Sequence, residues 1–273
     1  MSLIEIKNLI FGYNPNQIPL FNNFSLTLPK GEIISIIGRN GAGKTTLAKL
    51  MIGMLRPQKG NILIDNEATN KKTIAEIAEK IGYVFQNPNI MLFTNTVEKE
   101  LELSLLRLNI PKEEAEKRIQ EMLDFFNLEI YRKVHPRLLS RGEKQKLALA
   151  IVLIQNPQAI ILDEPFSGID IKQKIQIRDY IFKLKEQKRL VLIITHDLDA
   201  VLEYSDRVIS MDFGNIIFNG QTEQFFYNPT NLQKVNLTET YMLSMFYSLR
   251  KEGLPENILK RKEIISYFKH KFS

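Results

Sequence analysis

The chain has 273 residues, 44% of them hydrophobic and none of them cysteine, which excludes a disordered tail, a disulfide mini-protein, thiolate metal sites and cysteine nucleophiles together. Its formal charge is +6, much of it beyond Arg250, where a solvated helix end is the plainer reading and attraction to an anionic surface the sharper one. The longest apolar runs, residues 147–154 and 190–194, fall short of the roughly 18–20 residues of a spanning helix, and the alternating, acid-bearing start Met1-Ser2-Leu3-Ile4-Glu5 is unlike a signal peptide, so neither membrane crossing nor export is expected.

Residues 1–37 read as strands. Ile4 and Ile6 alternate with charged neighbours, Phe24, Leu26 and Leu28 repeat the pattern, and residues 31–37 form a nearly continuous β-branched run behind the turn Pro29-Lys30-Gly31. Tyr13, near an early turn, can stack on a base or pack in a core; the residue alone leaves both open. Next comes Gly38-Arg39-Asn40-Gly41-Ala42-Gly43-Lys44-Thr45, which matches G-x-x-x-x-G-K-[ST] between a predicted strand and a predicted helix, the context the motif requires. Its glycines let backbone N–H groups converge on phosphate oxygens at a helix N-terminus. Lys44 would neutralise β and γ charges, and Thr45 offers a hydroxyl to Mg²⁺. The helix after Gly43 should carry Leu47, Leu50, Met51 and Met54 on one face and end near Gly53 and Pro57.

Strands are expected around residues 62–64 and 83–85, the latter followed by Gln86, a candidate Mg²⁺ or water ligand at a strand end. From about residue 95 to 155 the spacing is helical. Val97, Leu101, Leu105 and Leu108 mark one stripe, and Pro111 opens a helix with Ile119, Met122, Leu123 and Phe126 on its inner face. Ser140-Arg141-Gly142-Glu143 has capping-box spacing before the apolar run at 147–154; a helix start of this kind is complete as structure and is also an anion-binding end.

Residues 159–163 and 190–195 read as apolar strands of a parallel sheet, separated by a helix near 171–186. The first ends in Asp163 and Glu164. Adjacent strand residues point to opposite faces, so the two carboxylates should play different parts, one near Mg²⁺ and one on an attacking water. His196 follows the second strand, as a structural hydrogen-bonder or as a γ-phosphate contact at the carboxyl edge of the sheet. Residues 208–211 and 216–218 look like a hairpin, and after Thr222 the composition turns aromatic and basic.

Taken in order, Tyr13, the glycine loop, Gln86, Leu139-Ser140-Arg141-Gly142-Glu143, Leu162-Asp163-Glu164-Pro165, Ser167-Gly168-Ile169-Asp170 and Thr195-His196-Asp197 resemble the ATP-binding subunit of ATP-binding-cassette (ABC) transporters over residues 1 to about 225. Gln86-Asn87-Pro88 and Thr96-Val97-Glu98 narrow the likeness to the energy-coupling-factor and cobalt importer branch. The resemblance implies an α/β P-loop NTPase cassette: a mixed or antiparallel N-terminal β-subdomain, a parallel-sheet core, a helical subdomain over about 95–155 and a short appendage over 226–273. It implies an ATPase that powers import of a vitamin or transition-metal ion, with ATP and Mg²⁺ as cofactors. The implied catalytic residues are Glu164 as base, His196 as switch and Gln86. Nucleotide would be held by Tyr13, Gly38, Asn40, Gly41, Ala42, Gly43, Lys44, Thr45 and Thr46, and Mg²⁺ by Thr45, Gln86 and Asp163. Ser140, Gly142 and Asp170 would serve a site shared with a second ATPase subunit, identical or paralogous, with Ser140 acting in trans.

The further partners implied are a transmembrane coupling subunit and a substrate-binding membrane subunit, with no nucleic acid, at the cytoplasmic face of the cell membrane. The same resemblance makes the stretch behind Gln86, including Leu103, the surface that receives the transmembrane subunit, while the inward positions of the stripe read equally as packing on the chain's own helices. The usual signature is Leu-Ser-Gly-Gly-Gln, so Arg141 and Glu143 place a cation and a carboxylate where the trans contact to phosphate is expected. Two other readings belong to different classes: a soluble ABC ATPase acting on nucleic acid or ribosomes, and a nucleotide-dependent interaction module that barely turns over.

Overall fold

In the computed structural model of the chain, which describes residues 2–14, 16–255, 258 and 260–271, β1 (Ser2–Phe11) and β2 (Phe21–Pro29) form an antiparallel pair whose inward residues include Ile4, Ile6, Leu26 and Leu28. β3 (Ile33–Ile37) leads through the glycine loop into α1 (Lys44–Met51); β4 (Lys59–Ile64) then joins the other side of β1, and the short β5 (Glu67–Ala68) completes a four-stranded sheet of order β2-β1-β4-β5. Helix α1 is shorter than its apolar spacing predicts. Gly53 turns left-handed, and Met54 falls beyond the helix, 45% exposed, instead of on its buried face.

A short α2 (Ile74–Ala78) with a Thr73–Glu76 capping box precedes β6 (Ile81–Val84), which stops one residue before Phe85. The expected helical stretch is α3 (Val97–Leu105), α4 (Lys112–Phe125) and α5 (Arg141–Leu153), linked by 3-10 turns. Thr96 and Ser140 cap α3 and α5 with side-chain oxygens, and Pro111 stands at the start of α4. Val97, Leu101 and Leu105 are buried among α4 and α5 residues, and Leu108 packs on the same cluster from a 3-10 turn.

β7 (Ala159–Asp163), α6 (Ile171–Glu186), β8 (Leu190–Ile194), α7 (Leu198–Tyr204), β9 (Arg207–Asp212) and β10 (Asn215–Gln221) follow, and the predicted hairpin is β9–β10. The six-stranded sheet has order β10-β9-β3-β8-β7-β6, parallel except for β10. Alternate residues of one strand serve different cores. Ile161, Leu192 and Ile194 face the antiparallel sheet and α1, whereas Ile160, Leu162, Val191 and Ile193 face α3 to α6. That explains why these strands are apolar throughout.

Beyond β10, α8 (Thr222–Tyr227), α9 (Thr230–Lys234), α10 (Tyr241–Lys251) and α11 (Arg261–Lys271) supply Phe225, Phe226, Leu232, Leu243, Phe246 and Ile264 to a third cluster shared with Leu198, Val201 and Val208. Part of the stretch expected as an appendage, residues 256, 257, 259, 272 and 273, lies outside the described residues, as does Met1. Among the described residues no helix is long and apolar enough to cross a membrane.

Candidate nucleotide site

The carboxyl ends of β3, β6, β7 and β8 open on one cavity of about 410 Å³, lined by Tyr13, Leu20, residues 40–46, Gln86, Asp163, Glu164, Ile194 and His196. Its floor is the glycine loop. Gly38 lies buried beneath the cavity rather than on its wall, with φ +143, and a Cβ there would come within 2.1 Å of the Met211 carbonyl oxygen, so no larger residue fits. The β9–β10 turn holds the loop from outside. Gly214 N–H donates to the Ala42 carbonyl (3.0 Å), Arg39 pairs with Asp212 (2.9 Å), and the Arg39 guanidinium sits 3.6 Å over the Phe213 ring.

Lys44, 7% exposed, folds back to donate to the carbonyls of Gly38 (2.6 Å) and Arg39 (3.0 Å). Burial pulls its ammonium below the usual lysine range, against the raising influence of Glu164 and Asp163. Asp163 Oδ2 accepts from both Thr45 Oγ1 (3.1 Å) and Tyr83 OH (2.8 Å). The predicted metal ligands Thr45 and Asp163 are thus joined directly, and Gln86 faces the same cavity. Tyr83 was not among the expected site residues; it reads as an ordinary strand aromatic, and its contact with Asp163 depends on the β6–β7 pairing.

The expectation that Asp163 and Glu164 point to opposite faces is corrected. β7 ends at Asp163, and Glu164 adopts φ +51, so its carboxylate swings back into the cavity that Asp163 lines. A left-handed non-glycine residue at a strand end is strained, and such strain clusters at functional sites. Thr195 Oγ1 donates to Glu164 Oε2 (3.2 Å) and accepts from Asp197 N–H (3.0 Å). Glu164 Oε1 is buried without a hydrogen bond, and His196 Nε2 lies 3.4 Å from it. Burial raises the Glu164 carboxyl above the ordinary carboxylate range, partly offset by hydrogen bonds from the His196 backbone and Thr195, and burial with Lys44 nearby lowers His196.

Tyr13 is 67% exposed, so core packing is not its role; its hydroxyl meets Thr46 Oγ1 (2.8 Å) and its ring lies edge-on to Phe11. Leu20 and Ile194 also line the cavity, and nothing in their spacing marks them. Ser140, Gly142 and Asp170 lie outside it. Ser140 caps α5, with Ser140 N–H donating to Glu143 (2.7 Å) and Glu143 N–H to Ser140 Oγ (3.3 Å), and Asp170 caps α6 by accepting from Gln173 N–H (2.8 Å). Neither departure from the usual signature is loose: Glu143 also bonds Tyr131, and Arg141 reaches Ser167 Oγ (3.3 Å).

The cavity fits a phosphate-bearing ligand and a hard cation. The N-terminus of α1, a buried lysine and left-handed glycines at 41 and 43 form the phosphate end, and hydroxyl, carboxylate and amide oxygens from Thr45, Asp163 and Gln86 form the donor set that Mg²⁺ takes.

The family model described as ABC transporter matches residues 21–167. The energy-coupling factor transporter ATP-binding protein EcfA of Methanocaldococcus jannaschii is 34% identical over 99% of this chain and 100% of its own. A putative ABC transporter ATP-binding protein of Methanosarcina mazei is 37% identical over 85% of this chain, which spans only 39% of that relative's length, and a Methanosarcina acetivorans relative is likewise spanned over 38%. Among solved structures, cbiO1 from Clostridium perfringens, described as part of the ABC transporter complex cbiONQ, aligns with TM-score 0.76 at 29% identity over 90% of this chain and 99% of its own. The dimeric ATP-binding cassette MJ0796 bound to ADP and Pi aligns with TM-score 0.73 at 30% identity over 81% and 99%.

Proposed function

The chain belongs to the ABC transporter family, and from that premise we propose that it is an ATP-hydrolysing subunit that drives import of a solute, of vitamin or transition-metal-ion type, through separate transmembrane subunits. One observation carries the reading: Glu164, strained out of its strand, presents a buried oxygen with no hydrogen-bond partner to the cavity that the glycine loop floors. A carboxylate so placed can accept a proton from a water attacking the terminal phosphate of ATP, and its raised proton affinity makes it a better base than a solvated glutamate.

The other residues take roles that follow from their positions. Lys44 exchanges the two loop carbonyls for β- and γ-phosphate oxygens, adding to the backbone N–H groups a charge they lack. Thr45, Asp163 and Gln86 would hold Mg²⁺, which when bound would neutralise the charge that develops on the phosphates. Tyr83 keeps the Asp163 carboxylate turned toward Thr45. His196, held neutral by burial, donates or accepts beside Glu164 and the γ-phosphate, and Tyr13 leaves Thr46 to stack on the base.

Ser140, Gly142 and Asp170 stand ready at helix starts outside the cavity, which supports their serving the nucleotide of a second ATPase subunit; the dimeric MJ0796 cassette supports the pairing. Likeness to EcfA and to a part of the cbiONQ complex supports an importer with a transmembrane coupling subunit and a substrate-binding membrane subunit, the chain sitting peripherally at the cytoplasmic face of the membrane. The nucleotide chemistry is assigned to residues 1–225 and the appendage to 226–273. Arg141 and Glu143 engage groups of their own chain, which favours the ATPase reading over a module that barely turns over.

The test is copurification of a tagged chain from gently solubilised membranes, followed by phosphate release from the recovered complex. Recovery of integral membrane proteins together with MgATP turnover is expected. Recovery of ribosomes or nucleic acid instead, with no membrane protein, would replace this reading with the soluble one.

A further inference from the structure

Arg141 occupies the position where the family signature has glycine, and its side chain turns to its own subunit. It is the first residue of α5, next to the cap Ser140, and its guanidinium donates to Ser167 Oγ (3.3 Å). Gly168 makes the room. A Cβ on that residue would lie 2.7 Å from Arg141 Cζ and Nε and push the guanidinium out of its place, and the φ of +71 is itself one that favours glycine.

Ser167 in turn closes a tight turn on Glu164: its N–H donates to the Glu164 carbonyl (3.2 Å), and Glu164 N–H is tied to the Ile194 carbonyl (2.8 Å). Glu164 therefore holds its left-handed conformation between β8 on one side and the turn ending at Ser167 on the other, and that turn is anchored to α5 by Arg141. One turn further on, the Gln173 amide packs against Gly142, so the starts of α5 and α6 are in register across the same seam.

We infer that Arg141 is a positioning residue for Glu164, acting within its own subunit through Ser167 to hold the base of the chain's own nucleotide site in its strained, productive conformation. The inference rests on the reading of Glu164 as the base of ATP hydrolysis. It runs against the expectation from the family signature, under which restoring glycine at 141 should leave turnover unchanged or improve it. A reacting group misplaced by about 1 Å can lose up to about a hundredfold in rate without loss of substrate affinity, so the effect belongs in kcat.

The experiment compares wild type, Arg141→Gly, Arg141→Lys, Ser167→Ala and the Arg141→Gly/Ser167→Ala pair, as full chains with the partners they copurify with. Steady-state kcat and KM, calorimetric MgATP affinity and the unfolding midpoint are recorded for each. Arg141→Gly and Ser167→Ala should each lower kcat by about tenfold with KM and affinity within about twofold, the pair should be no slower than Arg141→Gly alone, and Arg141→Lys should recover most of the rate. Turnover of Arg141→Gly at or above the wild-type rate, or losses in the pair that multiply, would overturn the inference; Ser167→Ala carries the test alone should Arg141→Gly fail to fold. A wild-type complex that binds MgATP and never turns it over removes the hydrolysis reading itself, a result separate from either.

Discussion

The Glu164 carboxylate is more protonatable in the fold than in the unfolded chain, because burial disfavours its charge. A raised folded-state value contributes stability that is present below the unfolded value and lost as pH rises through the folded one; at neutral pH the ionised group is a cost. Glu164→Gln, which removes the charge and keeps the shape, should therefore raise the unfolding midpoint of the nucleotide-free protein at pH 7.5 and change it less at pH 4, measured by calorimetry. For the wild type, the acid limb of kcat/KM should fall above the ordinary glutamate value of 4.5. Lys44→Ala removes a unit charge from the phosphate end, and it should weaken MgATP binding by about 2 kcal/mol, roughly thirtyfold; unchanged affinity by calorimetry would contradict the phosphate role.

At this scale most of the site is legible in the sequence, since a glycine loop between strand and helix and polar residues at strand ends converge wherever a parallel sheet forms. Glu164 shows the limit: the alternation rule holds within a strand and ceases where the strand does, so its left-handed turn into the cavity had no sequence signal. The destination of the Arg141 side chain is equally unreadable, because it depends on how α5 meets the turn after β7.

The helical region is fastened by Arg132, whose guanidinium reaches Glu98 (2.8 Å), Gln120 Oε1 (2.8 Å) and Glu116, joining α3, α4 and the connection before α5. Hydrogen bonds from Lys133 and Arg132 hold the Glu98 carboxyl below its ordinary value. A lowered value contributes stability present above the unfolded value of about 4.5 and lost as pH falls through the folded one. Arg132→Ala should cost about 2 kcal/mol at pH 7 by urea denaturation, with the difference from wild type shrinking as pH drops below about 4.5. Helix identity along this stretch is legible from periodicity and caps, as Thr96, Pro111 and Ser140 illustrate, whereas lengths are not: Met54 continues the α1 spacing, but Gly53 turns the chain away before it.

For the whole molecule, the informative feature is which apolar residues the fold leaves outside. Val97, Leu101 and Leu105 go inward, while Phe93 is 77% exposed, Leu106 69% and Leu103 45%, and Ile90 is exposed beside them in sequence. Periodicity marks the buried stripe and is silent about the exposed set, because exposed apolar positions follow no period and acquire meaning only through a partner. A charge on that side should leave the chain folded and break assembly: Leu103→Glu is expected to keep its unfolding midpoint and MgATP affinity while losing the membrane partner on copurification, an unpaired interfacial carboxylate costing about 2–4 kcal/mol. Retention of the partner by folded Leu103→Glu would place the docking surface elsewhere.

If Glu164 is the base of an ATP-hydrolysing subunit, steady-state phosphate release by the Glu164→Gln complex must collapse. Turnover is expected to fall by about a thousandfold or more while MgATP affinity is retained and ATP traps the ATPase dimer. Phosphate release by Glu164→Gln at near the wild-type rate would contradict it.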